Sequence, residues 1–235
     1  MPKRLNNLGV SYLRRFERTD DDSDLSEAIS NMRQAVEITP DSHIDMPGYL
    51  TNLGNSLHCH FRRTGRVSDL SEAISVQHCA VLLTPDGHPD MPIYLNSLGM
   101  SFHTRFDCTS DVCDISKAIS FQQQAVQLVP NGHSDRPAFL HNLGNSFQSC
   151  FERIGNISDL EEAISKKHKA VQLTPNGHPT LPALLDDLRN SFQTRFHHTD
   201  NITHIGKSHC IECSVYRSCT VYQYNGPVGP HGVGP

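Results

Sequence analysis

The strongest constraint on the fold is a period of 45 residues that runs through most of the 235-residue chain. A Leu-Gly pair, a phenylalanine, an Ala-Ile-Ser triplet and a proline all recur at this spacing, and Arg189 takes the place of the glycine in the fifth copy. A fixed period of this length indicates stacked repeats, each of them one supersecondary unit. We therefore divide the chain into four repeats, a half repeat that acts as a terminal cap and a tail expected to be disordered: 1–45, 46–90, 91–135, 136–180, 181–203 and 204–235.

Within one repeat, the apolar residues have the spacing of two amphipathic helices. Between Leu50 and Phe61 they recur at intervals of three and four, which predicts a first helix, helix A. Pro47 suits the start of this helix and Gly65 suits its end. No segment alternates apolar and polar residues as a strand would, so the chain is predicted to be all-α.

A second helix, helix B, is predicted after a short linker, and Pro85 ends it. Asp69 is followed three residues later by Glu72, which is typical of a capping box at the start of a helix. The same pairing occurs in two other repeats, as Asp24 with Glu27 and Asp159 with Glu162.

These residues resemble the tetratricopeptide repeat (TPR) family, whose 34-residue unit has a Leu-Gly and an aromatic residue on helix A and alanines followed by a proline on helix B. Seven more residues between the helices and four after the proline lengthen the unit to 45. The pattern is similar to TPR arrays of mushroom-forming fungi (basidiomycetes), which often precede a caspase-like CHAT protease domain. The resemblance covers residues 1–203 and implies a right-handed α-solenoid. In repeat 1 it rests on Leu5, Leu8, Gly9, Tyr12, Ala28, Ala35 and Pro40.

The resemblance implies a non-catalytic scaffold that binds proteins or extended peptides on its concave helix A surface. Many of the implied groove residues are asparagines, whose carboxamide can both donate to and accept from a peptide backbone. The alternative is that these side chains only form a solvated face or bond one repeat to the next. The implied groove residues are Asn6, Asn7, Asn52, Asn55, His58, Asn96, Met100, His103, His141, Asn142, Asn145 and Gln148.

A second function also fits the sequence. The array could be structural or regulatory, self-associating through its uncapped N-terminal helix, or it could be a fragment of a longer effector-linked protein of the CHAT type. Light scattering separates these alternatives, because self-association depends on concentration.

Composition excludes several other functions. A net charge of −5 argues against a general nucleic-acid binder. No apolar run is long enough for a membrane span and no signal peptide is present, so we expect a cytoplasmic, intracellular protein without membrane contact. The sequence contains no recognisable catalytic motif. The basic cluster of Lys166, Lys167 and Lys169 falls on a helix B, where it is predicted to be solvated.

Histidine and cysteine are the remaining candidates for chemistry. Four histidines recur in the turns between repeats, and we expect each to bond its local backbone because a repeat spacing of about 10 Å is too long for a shared metal. The tail carries a Cys-x-x-Cys pair, which is a candidate for binding zinc, but it has no second well-spaced pair. We therefore expect unpaired thiols and no metal or cofactor. The turn residues are His43, His88, His133 and His178, and the tail residues are Cys210, Cys213, Cys219 and His209.

Overall fold

The computed structural model describes residues 1–199 of the chain, and in this part it contains nine α-helices and no strand. The prediction of an all-α repeat solenoid is confirmed. The helices are α1 (Pro2–Thr19), α2 (Asp22–Glu37), α3 (Met46–Thr64), α4 (Val67–Leu83), α5 (Met91–Thr109), α6 (Val112–Leu128), α7 (Arg136–Ile154), α8 (Ile157–Leu173) and α9 (Leu181–Thr199).

The odd-numbered helices are the helices A of successive repeats, and the even-numbered helices are the helices B. The helices α1, α3, α5 and α7 each pack on the helix B of their own repeat, and α2, α4 and α6 each pack on the following helix A. Residues 1–191 form one compact unit. The remainder of α9 belongs to a second unit, in which the Arg195 guanidinium lies 5.0 Å from the centre of the Phe192 ring.

The ends of the odd-numbered helices follow from local sequence. Prolines occupy the first turn of α3, α5 and α7, where the missing N–H leaves no bond unmade. Gly65 ends α3 in the left-handed conformation with φ 71°, as predicted. In α1 and α5 the equivalent residues are Asp20 and Ser110, both at φ 57°, which L-residues adopt at a cost.

The repeated glycine of helix A lets helix B approach closely. A Cβ atom added at Gly54 would lie 2.5 Å from Cγ of Gln77, and one added at Gly144 would lie 2.7 Å from Cγ of Lys167. Arg189 occupies this position in α9, where it is exposed and pairs with Asp186 at 3.1 Å. The arginine is accommodated because its side chain extends into solvent.

The core includes leucines that each repeat buries against its neighbours. Leu53, Leu98 and Leu143 are almost fully buried between helices, at 2% exposure or less. Burial of such a side chain contributes about 2 kcal/mol to stability. Leu8 holds the same position in α1 and is 46% exposed.

The predicted capping boxes are wrong. The helices B begin a turn earlier than predicted, and side-chain caps come from Asp21, Asp111 and Asn156, each of which accepts a hydrogen bond from the backbone N–H two residues on. Arg66 precedes α4 without a side-chain cap. The aspartates assigned to the boxes instead lie in the first turn of helix B and are turned towards helix A.

The aspartate at this position of the repeat, Asp114 included, joins helix A to helix B. Arg105 donates to Asp114 through Nε at 2.7 Å and through Nη2 at 2.6 Å. Arg15 binds Asp24 in the same bidentate way. A repeated pair at one position of every repeat therefore fixes helix A against helix B.

The partner on helix A changes in the other two repeats. His60 Nδ1 lies 2.7 Å from an oxygen of Asp69, and the Cys150 thiol donates to Asp159 at 3.4 Å. Burial, with the nearby Asp159 carboxylate, raises the pKa of Cys150 to about 11. The thiol is therefore protonated at neutral pH and can act as the donor.

Candidate functional site

The predicted groove residues lie on α1, α3, α5 and α7, and several of them bond one helix A to the next. Asn52 Nδ2 donates to Asn6 Oδ1 at 3.1 Å, and Asn142 Nδ2 donates to Asn96 Oδ1 at 3.2 Å. Asn6 and Asn96 are buried, whereas Asn7 is exposed. For these asparagine pairs the structure has the bonds between repeats that the alternative interpretation anticipates.

The groove histidines form a second series of bonds between repeats. His58 Nε2 lies 2.9 Å from Thr104 Oγ1, and His103 Nε2 lies 2.9 Å from Ser149 Oγ. Burial lowers the pKa of His58 to about 4, with a smaller contribution from the charge of Arg62. Burial also lowers the pKa of His103. Both imidazoles are therefore neutral hydrogen-bonding groups at physiological pH.

Asn55 and Asn145 occupy the same position in two repeats. The hydrogen bond that each makes within the chain engages a different end of the carboxamide. Gln77 Nε2 donates to Asn55 Oδ1 at 3.0 Å, so the side-chain oxygen of Asn55 is used. Asn145 Nδ2 lies 3.1 Å from His141 Nε2, which also lies 3.3 Å from Asp187 Oδ2, so one amide hydrogen of Asn145 is directed at the imidazole. Asn55 Nδ2 and Asn145 Oδ1 enter none of the hydrogen bonds found among residues 1–199. One can donate to a ligand and the other can accept from it.

Met100 lies between these two asparagines in the repeat order. Its sulfur lies 3.4 Å from Asn142 Nδ2 and 3.5 Å from Asn96 Nδ2. The equivalent of Gln77 in this repeat is Gln122, which is 0% exposed. Neither amide atom of Gln122 has a hydrogen-bond partner among the described residues. The difference arises because Met100 offers no oxygen where Asn55 offers one.

Lys167 is the residue whose position the sequence analysis predicted wrongly. It is 4% exposed, and its Nζ atom donates to Gln148 Oε1 and, at 3.0 Å, to Ser191 Oγ. Burial lowers the pKa of Lys167. Lys169 is solvated as predicted, and Lys166 pairs with Glu162 at 2.7 Å.

The repeat register could have located Lys167. Its equivalents in the other repeats are Met32, Gln77 and Gln122, and all of them face the helix A glycine. The position is therefore an inward one whatever residue occupies it. The predicted groove residue Gln148 is fixed by this buried lysine, and its own Nε2 donates to Glu152 at 2.9 Å.

The turn histidines bond the local backbone, as predicted. The Nδ1 atom of His43 accepts from the backbone N–H of Asp45 at 3.1 Å, and the ring stacks on Tyr49 with centres 6.4 Å apart. The same backbone bond occurs in the other three turns, at His88, His133 and His178. These residues therefore organise the entry into each helix A.

Within residues 1–199, no group of three or more His, Cys, Asp or Glu side chains is arranged to hold a metal ion. The zinc candidates Cys210, Cys213, Cys219 and His209 lie outside the described residues. None of the helices described has both the length and the apolar character that a membrane crossing requires.

The fold is similar to several solved TPR-like structures. The TPR-like repeats of a Podosopora anserina protein described as a kinesin light chain match with a TM-score of 0.64 at 14% identity, covering 96% of this chain and 99% of that one. The MamA protein matches with a TM-score of 0.54 at 13% identity, covering 95% and 98%. BtubC (BKLC) from P. vanneervenii matches with a TM-score of 0.53 at 11% identity, covering 100% and 95%.

No family model matches the sequence, and no curated protein matches it either. At these identities the structural likeness establishes the fold alone. The chain thus has the architecture of a TPR-like solenoid.

Proposed function

We propose that the chain is a non-catalytic protein-binding scaffold that takes an extended peptide on its concave helix A surface. The TPR-like fold supports a protein-interaction role in general. The observation that carries the specific proposal is the pair Asn55 and Asn145, which leaves one carboxamide donor and one carboxamide acceptor on the same row of the helix A surface.

The spacing of these two residues suits an extended chain. They are two repeats apart, and helices in contact lie about 10 Å from each other, so the two amides are separated by about 20 Å. A peptide in the β conformation covers this distance with about six residues at 3.3 Å each. A peptide carbonyl would accept from Asn55 Nδ2, and a peptide N–H would donate to Asn145 Oδ1.

The partner is best found by affinity purification of proteins on the intact chain, followed by mass spectrometry. The test of the surface is the double variant Asn55→Asp with Asn145→Ala. Aspartate keeps an oxygen for Gln77 and removes the amide donor, so the buried hydrogen bond survives. Asn31→Ala on α2 is the matched control, because Asn31 bonds only within its own helix.

The double variant should lose the partner while its circular dichroism spectrum and melting curve stay those of the wild type. Asn31→Ala should retain the partner. Capture by the double variant at the wild-type level would contradict the proposal.

Self-association is the second candidate function, and the exposure of Leu8 favours it. The equivalent leucines of the later repeats are buried against the preceding repeat, so the outer face of α1 has the shape and polarity of a repeat interface. Light scattering over a range of concentrations tests this alternative, and Leu8→Glu should abolish any oligomer. The link to a CHAT-type effector stays a prediction from the sequence.

A further inference from the structure

A cleft of about 690 Å³ lies between the start of α7, the end of α8 and the start of α9. Its lining includes Ala138 and Leu184 on the two helices A, and His178, Thr180 and Asp135 in the turns before them. All of these residues belong to the unit formed by residues 1–191. The cleft is mainly apolar with polar groups from the turns, and it adjoins the groove residues His141 and Asn142, which also line it.

The equivalent space between α3 and α5 is filled by the chain itself. Tyr94 holds the position of Leu184, and Gly48 holds the position of Ala138. A Cβ atom added at Gly48 would lie 3.5 Å from the Tyr94 hydroxyl, so the phenol ring extends from α5 to the start of α3. The ring stacks on His88 with centres 6.3 Å apart, and Tyr94 is buried.

The hydroxyl of Tyr94 is placed between two carboxylates. The negative charges of Asp90 and Asp45 both act on it. Burial and these two carboxylates raise the pKa of Tyr94 to about 12. The phenol is therefore protonated at neutral pH, with a hydroxyl that can donate a hydrogen bond.

The cleft between α7 and α9 keeps the histidine and one carboxylate of this environment and lacks the ring. His178 corresponds to His88, Asp135 to Asp45 and Thr180 to Asp90. Leu184 is too short to cross the space that Tyr94 crosses, and Ala138 does not fill it from the other side. The cleft therefore exists where Leu184 stands in place of Tyr94, with a histidine and one of the two carboxylates retained beside it.

We infer that this cleft binds a tyrosine side chain from the partner peptide, with its ring against His178 and its hydroxyl directed to Asp135 and Thr180. The inference rests on the proposed function and adds a side-chain specificity to backbone recognition by the neighbouring asparagines. Thr180 Oγ1 lies 2.8 Å from His178 Nδ1 and Ser134 donates to Asp135 Oδ1 at 3.3 Å. The second oxygen of the Asp135 carboxylate can accept from a phenol hydroxyl, which a purely apolar side chain does not have.

The probe is N-acetyl-tyrosinamide, titrated into the full chain with ¹³C-labelled alanine and leucine methyl groups. The methyl signals of Ala138, Ala183 and Leu184 should shift together, with a dissociation constant on the order of 1 mM for so small a ligand. N-acetyl-phenylalaninamide should bind several-fold more weakly because it has no hydroxyl. N-acetyl-leucinamide should bind at least tenfold more weakly.

Two variants close the cleft from opposite sides. Leu184→Tyr restores the residue that repeat 3 has, and Ala138→Ile introduces the residue that repeat 3 has at position 93. Ala138 is exposed, so its replacement leaves the core unchanged. Each variant should weaken the binding of the tyrosine probe at least tenfold while melting no lower than the wild type.

Any of three outcomes of the probe titrations would overturn the inference: no shift of the three methyl groups, equal binding of the leucine and tyrosine probes, or tyrosine binding that survives both variants. Concentration-dependent doubling of the mass that Leu184→Tyr abolishes would assign the cleft to a second copy of the chain, and would also overturn it. If Asn55→Asp with Asn145→Ala releases the partner and Leu184→Tyr retains it, the scaffold function stands and the tyrosine cleft does not. If neither variant releases it, the proposed function fails as well.

Discussion

The bond between Arg105 and Asp114 is the best place to measure what holds helix A to helix B. The Asp114 side chain is 3% exposed, whereas the Arg105 side chain is 27% exposed. Arg105→Met keeps most of the aliphatic stem and removes the charge, which leaves a buried carboxylate without its partner. Breaking such a pair from one side costs about 3 kcal/mol or more, because the remaining charge stays desolvated.

Repeat 4 provides an internal comparison. Asp159 has a thiol as its partner and is only half-buried. Asp159→Asn should therefore lower the free energy of unfolding by no more than about 1 kcal/mol. The double variant Arg105→Met with Asp114→Leu should recover most of the loss, because replacing both members by apolar residues leaves no unpaired charge.

Urea unfolding followed by circular dichroism at 222 nm measures the stability of all three variants. A change in repeat 3 affects the unfolding of the array because this repeat contacts a neighbour on each side. Two results would refute the reasoning. One is an Arg105→Met variant within about 0.5 kcal/mol of the wild type, which is the range of ordinary surface substitutions. The other is a double variant less stable than Arg105→Met alone.

Three further predictions follow from single positions of the repeat. Ser110→Gly should raise the free energy of unfolding by about 0.5–1 kcal/mol, because glycine adopts the positive φ of this helix end without strain; a lower urea midpoint would contradict this. Met100→Asn should raise it by about 1 kcal/mol by giving the buried amide of Gln122 an oxygen to bond, and a neutral result in the same unfolding assay would show that Gln122 does not need one. The third concerns pH: the pKa of His58 is about 4 in the fold against 6.5 when unperturbed, so the unfolded chain takes up the proton first as the pH falls. Stability should be independent of this group above pH 6.5, should fall by about 1.4 kcal/mol per pH unit between the two pKa values and should level off below the lower one. His58→Gln, which installs the residue found at position 148, should flatten this part of the pH profile, and an unchanged slope would exclude His58 as its source.

The secondary structure could be predicted from the sequence because helix formation depends on local spacing. The interval between Leu50 and Phe61, the proline at position 47 and the glycine at position 65 each act within a few residues of chain. Those signals located both ends of α3. Tertiary contacts reinforce them in every repeat, so the period of the sequence and the period of the structure agree.

The polar contacts were harder to predict because they depend on which neighbour covers each side chain. Lys167 was assigned to solvent from its charge, although its register places it against the helix A glycine. Asp69 was assigned to a cap from its spacing to Glu72, although an imidazole on helix A lies within reach of it. In both cases the error came from inferring the environment of a side chain from its residue type, when its position in the repeat determines that environment.

The candidate site was predicted in part. The sequence located the polar row on helix A, but it could not show which half of each carboxamide is already used. That depends on the side chain opposite, which is Gln77 for Asn55 and His141 for Asn145. The cleft beside Leu184 was not predicted, because it depends on how a leucine in place of Tyr94 meets the preceding repeat.

The most direct test of the central claim is the dissociation constant of the captured partner for the wild type and for Asn55→Asp with Asn145→Ala. Two hydrogen bonds of about 1 kcal/mol each predict a roughly 30-fold weaker complex for the double variant. The control Asn31→Ala should bind as the wild type does. A double variant that is folded and binds within twofold of the wild type would contradict peptide recognition by the helix A surface.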